Sequence, residues 1–465
     1  MAGTHAVVVG GSFAGMCTAR VLRDSFDHVT VVERDSLEGD GERSGVPQSK
    51  HVHAMLVRGR NELEGLFPGF GAEMIRRGAI DLDFGNSFLV MRMTGWEPRQ
   101  AVGLLNAWGT RLLFEAALRT RFREECAGVE VLTSTVVRGL VVERNGRQRI
   151  KAVRVEARDG GHARELDADL VVDASGRASK APEWLRAAGV EPPRETVVDS
   201  FMQYASMWFE ALPREERPAG GDWHGIWLDP LPPDMKRGGV MFPCEGNRWI
   251  ATVGAAARER APETPDEFHA FLRTLRSPVL AQALEKARPI SPLHRTRSMT
   301  NRLRHYDEWS TDLAGFVALG DAACAFNPVY GQGMSTNTVC ATVLKKMLLH
   351  HGPDPARLPR LFHRAQGEFL AGPWSMSTGA DFMWNETIGT RPAGTRLMHP
   401  YVMAVLETAL EDPSVRQVFA EIANLLRPSS DLMSPSMLGR VGARTLRRRV
   451  LERLRPTFVP DMPPG

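Results

Sequence analysis

The sequence predicts an α/β fold in which a parallel β-sheet is interrupted by a β-rich segment and followed by a helical region. β-Branched runs with helices between them, such as HAVVVGG near the N-terminus, are typical of buried parallel strands. From about Glu183 onward the strands instead carry Trp, Met and Phe, and they alternate as antiparallel strands do. The segment GFVALGDAA, which begins at Gly315, returns to the small-residue style of the first strands, and the rest is mainly helical.

Length and composition limit the class of protein. With 465 residues the chain exceeds the size at which one hydrophobic core keeps growing, so two interlocked domains are expected. A net charge of +3 gives no support to a nucleic-acid partner. No uninterrupted apolar run approaches the ~18 residues that a membrane span requires, and the first strand begins too close to Met1 for a signal peptide. We therefore expect a cytoplasmic protein without a membrane span.

The cysteines lie far apart in the sequence and form no C-x-x-C pair. This spacing argues against a zinc site and against a disulfide framework, and it suits a reducing compartment. The five cysteines are Cys17, Cys126, Cys244, Cys324 and Cys340.

The first strand, helix and strand form a βαβ unit whose glycine-rich turn is typical of nucleotide binding. Gly10 permits the tight turn, and Gly15 lets the helix pack against the strand. Backbone N–H groups at the helix N-terminus can then bind a pyrophosphate. Ser12 replaces the middle glycine of G-x-G-x-x-G, which is compatible with phosphate binding if its hydroxyl donates to a phosphate oxygen. Glu33, at the end of the second strand, is expected to accept hydrogen bonds from the ribose hydroxyls of an adenosine and to disfavour a 2′-phosphate.

Two later segments extend this pattern: ADLVVDASGRASK from Ala168 and GFVALGDAACAFNPVYGQGMSTN from Gly315. Together the three segments resemble the FAD-dependent aromatic-hydroxylase and squalene-epoxidase type of flavoprotein monooxygenase. Asp173 to Ser179 is similar to the middle signature of that family, although it reads D-A-S-G, and the third segment is similar to the G-D-A-x-x-x-x-x-P-x-x-G-x-G signature. The stretch GVPQSKHVHAML and the later LEGLFPG are nearest to bacterial polyether-type polyketide epoxidases and related tailoring hydroxylases.

This resemblance implies a Rossmann-like FAD-binding domain of the glutathione-reductase type, interrupted by a β-sheet substrate domain. Residues 1–182 are expected to form the FAD-binding domain, with an inserted segment around 72–105 that faces the substrate. Residues 183–300 are expected to form the β-rich substrate-binding domain. The chain is expected to return to the FAD-binding domain over 301–350 and to end in a helical region over 351–465.

The third segment also has its own physical logic. Asp321, which follows a buried strand, offers a carboxylate to a polyol such as the ribityl chain of FAD. Pro328 interrupts the local backbone beside the expected flavin ring. Gly331 to Gly333 begin a helix whose N–H groups and positive dipole end stabilise negative charge. A reduced flavin carries such a charge at its N1–C2=O edge, so this helix end is expected to favour it.

The resemblance implies further contacts with the cofactor. Arg111 matches the arginine that opens a helix and contacts the cofactor in the family. Arg43 lies in the loop that passes the dimethylbenzene side of the flavin. The complete set of predicted cofactor-binding residues is Gly10, Ser12, Phe13, Ala14, Gly15, Glu33, Arg34, Arg43, Arg111, Val137, Asp173, Gly176, Asp321, Pro328, Gly331, Gly333 and Met334.

The chemistry that the resemblance implies is oxygen transfer by FAD. Reduced flavin and O2 form a C4a-hydroperoxide, which epoxidises or hydroxylates its substrate without a protein nucleophile or a metal. No second glycine fingerprint is present, so NAD(P)H is expected to bind transiently or to act through a partner flavin reductase. His51 and His53 are candidate proton donors, and no third residue completes a metal site with them.

The β-rich insertion is expected to cover a hydrophobic small-molecule substrate, a bulky natural-product intermediate. Alternate residues of a strand share a face, and such a face of large apolar side chains can line a pocket or simply fill a core. The predicted substrate residues are Met202, Tyr204, Met207, Trp208, Trp227, Met241 and Phe242. The segment from Trp374 to Gly389 is a further candidate to close this pocket from the helical side.

Three alternatives remain open at this point. A flavin halogenase carries a W-x-W-x-I-P element, which WHGIWLDP does not match. An isoprenoid-type flavin reductase would transfer hydride directly from the flavin. A non-redox protein would retain FAD structurally or lack it.

Overall fold

The computed structural model describes residues 4–43, 46–144, 146–296, 299–452 and 461–463. The strands are β1 (His5–Val9), β2 (His28–Val32), β3 (Ala54–Met55), β4 (Ile80–Asp83), β5 (Phe88–Arg92), β6 (Gly95–Trp96), β7 (Leu105–Trp108), β8 (Glu130–Leu132), β9 (Thr135–Glu143), β10 (Gln148–Ala157), β11 (Arg164–Asp167), β12 (Leu170–Asp173), β13 (Glu195–Val198), β14 (Gln203–Glu210), β15 (Gly225–Leu228), β16 (Arg237–Cys244), β17 (Arg248–Ala255), β18 (His294–Thr296), β19 (Asn301–Arg304), β20 (Leu313–Ala314), β21 (Phe316–Ala318) and β22 (Cys324–Ala325).

The helices are distributed along the chain but dominate its C-terminal quarter. They are α1 (Phe13–Leu22), α2 (Val57–Leu66), α3 (Phe70–Arg76), α4 (Phe84–Ser87), α5 (Arg111–Glu125), α6 (Ala181–Ala187), α7 (Pro265–Leu272), α8 (Val279–Lys286), α9 (Gly333–His351), α10 (Leu358–Asp381), α11 (Thr395–Glu411), α12 (Pro413–Ala423) and α13 (Pro435–Glu452).

A five-stranded parallel sheet in the order β21-β12-β1-β2-β8 forms the centre of the first domain. Its strands are apolar because both faces are covered, as expected for parallel sheets. One face packs against α1, α5 and α9, where Phe13, Leu118 and Leu344 share one cluster. The other face packs against β9 and β10 and against α6, with Val153 and Leu185 in the cluster. Strand β21 confirms that GFVALGDAA returns to the first sheet.

A seven-stranded sheet in the order β18-β14-β17-β16-β15-β5-β6 forms the second domain. It is antiparallel except that β15 pairs with β5 in parallel, with Phe88 opposite Gly225. The strands from Glu183 onward that the sequence predicted to be antiparallel pair antiparallel with one another. β5 comes from the segment inserted into the first domain, so its direction is not set by a hairpin with β15.

The two faces of this second sheet have different neighbours. One face packs against α7 and α8, where Phe268 and Leu280 lie in the same cluster as Phe209 and Trp249. The opposite face lies toward β3, β4 and β7 of the first domain, where Trp108 contacts Phe242. A pocket or groove between the domains therefore has to form on this second face.

The C-terminal region is helical, as the sequence predicted. α10 contacts both α9 and β21, while α11, α12 and α13 have a small core of their own around Val405, Val415 and Val441. Among the helices of the described residues, none combines the length and apolar character that a bilayer crossing requires.

Candidate functional site

The three sequence segments meet at the carboxyl ends of three neighbouring parallel strands. Val9 of β1 is paired with Asp173 of β12, and Asp173 is paired with Ala318 of β21. The residues that follow these strands are therefore adjacent, and a ligand at this edge can contact all three segments. Carboxyl ends of strands are the usual ligand-binding edge of an open parallel sheet.

The glycines of the first turn are required by close backbone contacts. Gly10 has a φ of +103°, and a Cβ there would lie 2.7 Å from the carbonyl oxygen of Ala174. A Cβ at Gly15 would lie 1.7 Å from the carbonyl oxygen of Gly10. Phe13 and Ala14, between them, begin α1 and are buried. The turn can thus adopt this shape only with glycine at both ends.

Ser12 does not cap α1 with its side chain. Its hydroxyl donates to Glu115 Oε1 at 2.5 Å and accepts from Arg111 Nη2 at 3.0 Å. The hydroxyl proton is therefore directed to a carboxylate of α5, whereas the sequence suggested a phosphate oxygen as its acceptor. The backbone N–H groups of the turn are unaffected by this arrangement.

Glu115 is the centre of a buried charge network that the sequence analysis missed. Its other oxygen accepts from Arg43 Nη2 at 2.6 Å, and Arg111 Nη2 lies 2.9 Å from Oε1. Burial by itself would raise the pKa of Glu115, but the charges of Arg111 and Arg43 and the Ser12 hydrogen bond lower that pKa to about 2. The spacing of four between Arg111 and Glu115 in a helix was the one available sequence signal.

Glu33 lies against the glycine turn. Its Oε2 accepts from the Gly11 N–H at 2.6 Å, and its Oε1 accepts from the Asp35 N–H at 2.9 Å. Arg43 Nη1 is 3.7 Å from Oε1. The Glu33 carboxylate therefore fixes the backbone around the turn, and a carboxylate oxygen that accepts one hydrogen bond retains the capacity to accept another. Arg34, the next residue, is exposed.

A cavity of about 420 Å³ opens beside this turn. Gly11 lies at its edge, Val31 and Val131 of neighbouring strands form its floor, and Leu37 and Arg119 line its sides. Its apolar floor and its position next to Glu33 suit the adenosine end of a dinucleotide. Val137, a predicted cofactor residue on β9, is not among the lining residues of this cavity. Its side chain packs in the core between β9 and the parallel sheet.

Asp173 is occupied by its own turn. Its carboxylate accepts from the N–H and the hydroxyl of Ser175, at 3.0 and 2.5 Å, and from the hydroxyl of Ser179 at 2.5 Å. Burial raises the pKa of Asp173. Gly176, within the same turn, has a φ of +80° and open space where a Cβ would be. Asp173 thus shapes the turn, and Gly176 is the member that leaves room for a ligand.

Asp321, unlike Asp173, has a carboxylate oxygen that does not accept a hydrogen bond from its own turn. Its Oδ1 is buried, and it has no hydrogen-bond partner among the described residues. A Cβ at Gly333, the first residue of α9, would lie 3.6 Å from this oxygen. Burial raises the pKa of Asp321. An unpartnered buried acceptor beside a helix N-terminus fits the hydroxyls of a ribityl chain, and Met334 is buried in the same helix turn.

The loop from Asn327 to Gly331 is fixed by hydrogen bonds to Asn301 of β19 and to Asp381 of α10. The Asn327 N–H donates to Asn301 Oδ1 at 2.7 Å, and Tyr330 Oη donates to Asp381 Oδ1 at 2.5 Å. Burial raises the pKa of Asp381 to about 6. Pro328 is half-buried within this loop, and Gly331 has a φ of +65° with no atom near a Cβ position. The loop is therefore fixed by β19 and α10 and leaves open space at Gly331.

Of the two candidate histidines, His51 is buried and His53 is half-buried, and both are neutral at pH 7. His51 Nδ1 lies 2.8 Å from Ser206 Oγ, and its ring stacks edge-to-face on Tyr204. His53 Nδ1 lies 2.9 Å from the His51 carbonyl oxygen. Burial lowers the pKa of His51 to about 4 and that of His53 to about 3. His51 therefore links the loop before α2 to the second sheet, and His53 contacts the backbone of its own loop.

The predicted substrate residues are divided between the two faces of the second sheet. Five of them lie on the face toward the first domain or at its end: Met202, Tyr204, Trp208, Trp227 and Phe242. The other two, Met207 and Met241, fill the core beneath α7 and α8, the alternative that the sequence left open for each of the seven. Met207 alternates with Trp208, and Met241 with Phe242, so neither can point to the same side as its neighbour.

Two further features border this face. Trp384, from the segment predicted to close the pocket, clusters with Met202 and Tyr204. A groove of about 470 Å³ lies between α5 and the sheet, and its lining includes Trp208 and His294. The described residues contain no group of three metal-ligating side chains.

Arg177 is a second residue that the sequence analysis missed. It follows Gly176 in the turn after β12, and its guanidinium donates to the carbonyl oxygens of Thr300, at 2.7 Å, and Phe326. It thereby joins the second segment to the third.

Comparison with known proteins agrees with this geometry. A family model described as FAD dependent oxidoreductase matches residues 6–217. Protein Rv3254 of Mycobacterium tuberculosis is 30% identical over 461 residues, which cover 95% of this chain and 94% of that protein.

Solved structures share the fold at low identity. The flavin-dependent brominase Bmp2 has a TM-score of 0.67 and 15% identity, covering 96% of this chain and all of that one. A flavoprotein/dehydrogenase from Cytophaga hutchinsonii has a TM-score of 0.65 and 15% identity, with 97% and 99% coverage. The anhydrotetracycline hydroxylase OxyS from Streptomyces rimosus has a TM-score of 0.59 and 19% identity, with 91% and 76% coverage.

The glycine turn, the cavity beside the turn and the unpartnered Asp321 oxygen are features that fit FAD, and the family model agrees with them. This chain belongs to the FAD-dependent oxidoreductase family.

Proposed function

We propose that the chain is an FAD-dependent monooxygenase that uses NAD(P)H and O2 to epoxidise or hydroxylate a bulky hydrophobic natural-product intermediate. The observation that carries the proposal is the buried Oδ1 of Asp321, which has no hydrogen-bond partner among the described residues and lies next to the N-terminus of α9. A flavin whose ribityl chain is bound by Asp321 would have its ring beside the loop Asn327–Gly331. Oxygen transfer to an apolar substrate would further require an apolar surface facing the ring, and the second sheet has one face rich in aromatic residues.

The residues of the first domain would hold the cofactor along its length. The turn from Gly10 to Gly15 would bind the pyrophosphate through the backbone N–H groups at the N-terminus of α1, and Glu33 with the neighbouring cavity would bind the adenosine. Asp321 would accept hydrogen bonds from the ribityl hydroxyls. When bound and reduced, FAD supplies the activation of O2, and the protein supplies binding, orientation and exclusion of water.

The second sheet would orient the substrate. Tyr204 and Trp208 alternate along β14 on the face toward the first domain, and Trp227 and Phe242 continue that face. His51, neutral at pH 7 and hydrogen-bonded to Ser206, would contribute a polar ring atom rather than a cation. A pocket formed against these aromatic side chains would favour a large hydrophobic substrate over a sugar or an acidic metabolite.

A halogenase and an isoprenoid-type reductase are the competing proposals within the fold. The likeness to Bmp2 at 15% identity supports a common fold, and WHGIWLDP around β15 lacks the W-x-W-x-I-P element. A monooxygenase consumes O2 together with NAD(P)H and substrate, whereas a reductase consumes NAD(P)H without O2. A halogenase requires added halide.

The test is purification, an absorption spectrum, and measurement of NAD(P)H and O2 consumption with polyene and aromatic substrates. We expect bound FAD and substrate-dependent O2 uptake without halide. Asp321→Ala is expected to lower FAD occupancy, while Asp312→Ala, at an exposed carboxylate, leaves it unchanged. Full flavin occupancy in Asp321→Ala contradicts the role of Asp321, and substrate conversion without O2 uptake contradicts the monooxygenase.

A further inference from the structure

The guanidinium of Arg177 joins the second cofactor segment to the third segment and to the chain before β19. Its Nη1 donates to the Thr300 carbonyl oxygen at 2.7 Å, directly before β19. Its Nη2 donates to the carbonyl oxygen of Phe326, which immediately precedes the loop that starts at Asn327. Both hydrogen bonds use neutral acceptors. They orient the cation without neutralising it.

No carboxylate of the described residues forms an ion pair with Arg177, although its neighbour Arg302 pairs with Glu195 at 3.4 Å. Burial lowers the pKa of the Arg177 guanidinium, the Asp321 carboxylate opposes that shift, and Arg302 adds to it. An arginine remains protonated in such surroundings. The site therefore contains a fixed positive charge that is held by carbonyl groups.

The charge of Arg177 affects the pKa of groups in both domains. Asp321 raises the pKa of Arg177 from the cofactor side. The cation in turn opposes the rise that burial causes in the pKa of Tyr204, on the substrate side. Asp321 belongs to the third cofactor segment, and Tyr204 to the face of β14 that points toward the first domain.

We propose that Arg177 is an electrostatic residue that stabilises the negative charge which the flavin ring acquires when it is reduced. Transfer of hydride from NAD(P)H moves two electrons and one proton to the ring and releases NAD(P)+, so the ring gains one negative charge. A half-buried cation held by neutral carbonyl oxygens favours that charge, because Asp321 compensates it only partly and no carboxylate of the described residues forms an ion pair with it. The proposal rests on FAD binding, which the proposed function shares, and it is independent of the substrate.

The test uses sulfite as the probe, because sulfite adds reversibly to flavin N5, bleaches the flavin absorption band and leaves negative charge on the ring. Arg177→Gln retains donors for the two carbonyl oxygens but removes the charge, and Arg177→Lys retains the charge. Arg302→Gln is the matched control, because the charge of Arg302 is already paired with Glu195. The midpoint potential of the bound flavin is measured on the same holoproteins.

We expect Arg177→Gln to weaken sulfite binding by roughly tenfold or more, as for the loss of a unit charge within a nanometre at an effective dielectric constant of about 20, and to lower the midpoint potential. Arg177→Lys and Arg302→Gln are expected to bind sulfite as the unaltered protein does. The FAD dissociation constant, measured by fluorescence, reports separately whether the variants still bind the cofactor.

Unchanged sulfite affinity in Arg177→Gln with FAD bound overturns the proposal. It is also overturned if Arg177→Lys binds sulfite as weakly as Arg177→Gln, because the geometry of the guanidinium, and not its charge, would then determine sulfite affinity. If Arg177→Gln is purified without flavin, the result for Arg177→Lys distinguishes the two explanations. Normal sulfite affinity in Arg177→Lys supports the proposed role of the positive charge. Loss of FAD from both variants assigns Arg177 a purely structural role and overturns the proposal. If no substrate-dependent O2 uptake is found, the interpretation of the sulfite and FAD binding results does not change.

Discussion

Replacing Glu115 by glutamine tests the buried charge network beneath the glycine turn. The glutamine has the same shape but carries no charge. Arg111, 2.9 Å from the carboxylate, and Arg43, 2.6 Å from it, would remain buried without it. The Ser12 hydroxyl would lose a charged acceptor at 2.5 Å. We expect a large loss of stability, because removing one member of a buried ion network leaves its partners uncompensated.

The magnitude follows from the pKa of Glu115. The pKa falls from an ordinary 4.5 to about 2 in the folded protein. At about 1.4 kcal/mol per pKa unit, the charged form stabilises the folded state by about 3 kcal/mol at pH 7. Because the folded pKa is the lower one, this stabilisation is complete above about pH 4.5 and disappears as the pH falls toward 2. Roughly half of it remains at pH 3.

The assay is urea unfolding of flavin-free protein at pH 7 and pH 3, followed by tryptophan fluorescence, so that cofactor affinity does not enter. Glu368→Gln is the control, because Glu368 forms an exposed helix-surface pair with Arg364. We expect that variant to lose less than about 0.5 kcal/mol. The reasoning is refuted if Glu115→Gln unfolds like Glu368→Gln at pH 7, or if its loss of stability is the same at pH 3.

Two further predictions concern the turn and the loop above it. Gly15→Ala would put a Cβ 1.7 Å from the Gly10 carbonyl oxygen, so we expect loss of bound FAD, measured as the ratio of flavin to protein absorbance. Gly65→Ala is the control, because no atom lies within 4 Å of a Cβ at that position. Equal absorbance ratios in the two variants would contradict the steric argument. The pKa of His51 is lowered by burial from 6.5 to about 4, so its neutral form stabilises the protein above pH 6.5 and acid removes that stability down to about pH 4. His51→Asn should therefore reduce the fall in Tm between pH 6.5 and 4, and an unchanged fall would exclude His51 as its source.

The cofactor side of the molecule was predictable because its signals are local. A β-branched strand, two glycines and a helix are adjacent in the chain, and the steric need at Gly10 and Gly15 comes from backbone within or beside that unit. The third segment was predictable for the same reason, since Asp321 and Gly333 belong to one short stretch of the chain and lie close together in the structure. Such local signals identify where a cofactor-binding edge forms.

The parts that the sequence did not reveal depend on residues that are far apart in the chain. Glu115 receives hydrogen bonds from Ser12 and Arg43, two side chains of separate segments, and nothing local to α5 indicates that they meet there. The face to which Met207 and Met241 point depends on which side α7 and α8 cover, and those helices come later in the chain. Periodicity assigns residues to faces, but it does not say which face becomes the core.

The parallel pairing of β5 with β15 has a consequence for synthesis on the ribosome. Phe88 emerges long before its partner Gly225, and β21, which completes the first sheet, emerges later still. At about 5–20 residues per second, the apolar strand β5 waits on the order of ten seconds without a partner. Neither domain can therefore finish folding during translation before the other has largely been made. Truncated nascent chains that end between these strands should be recognised by chaperones that bind exposed apolar segments, and the two domains should not be separable as independently expressed fragments.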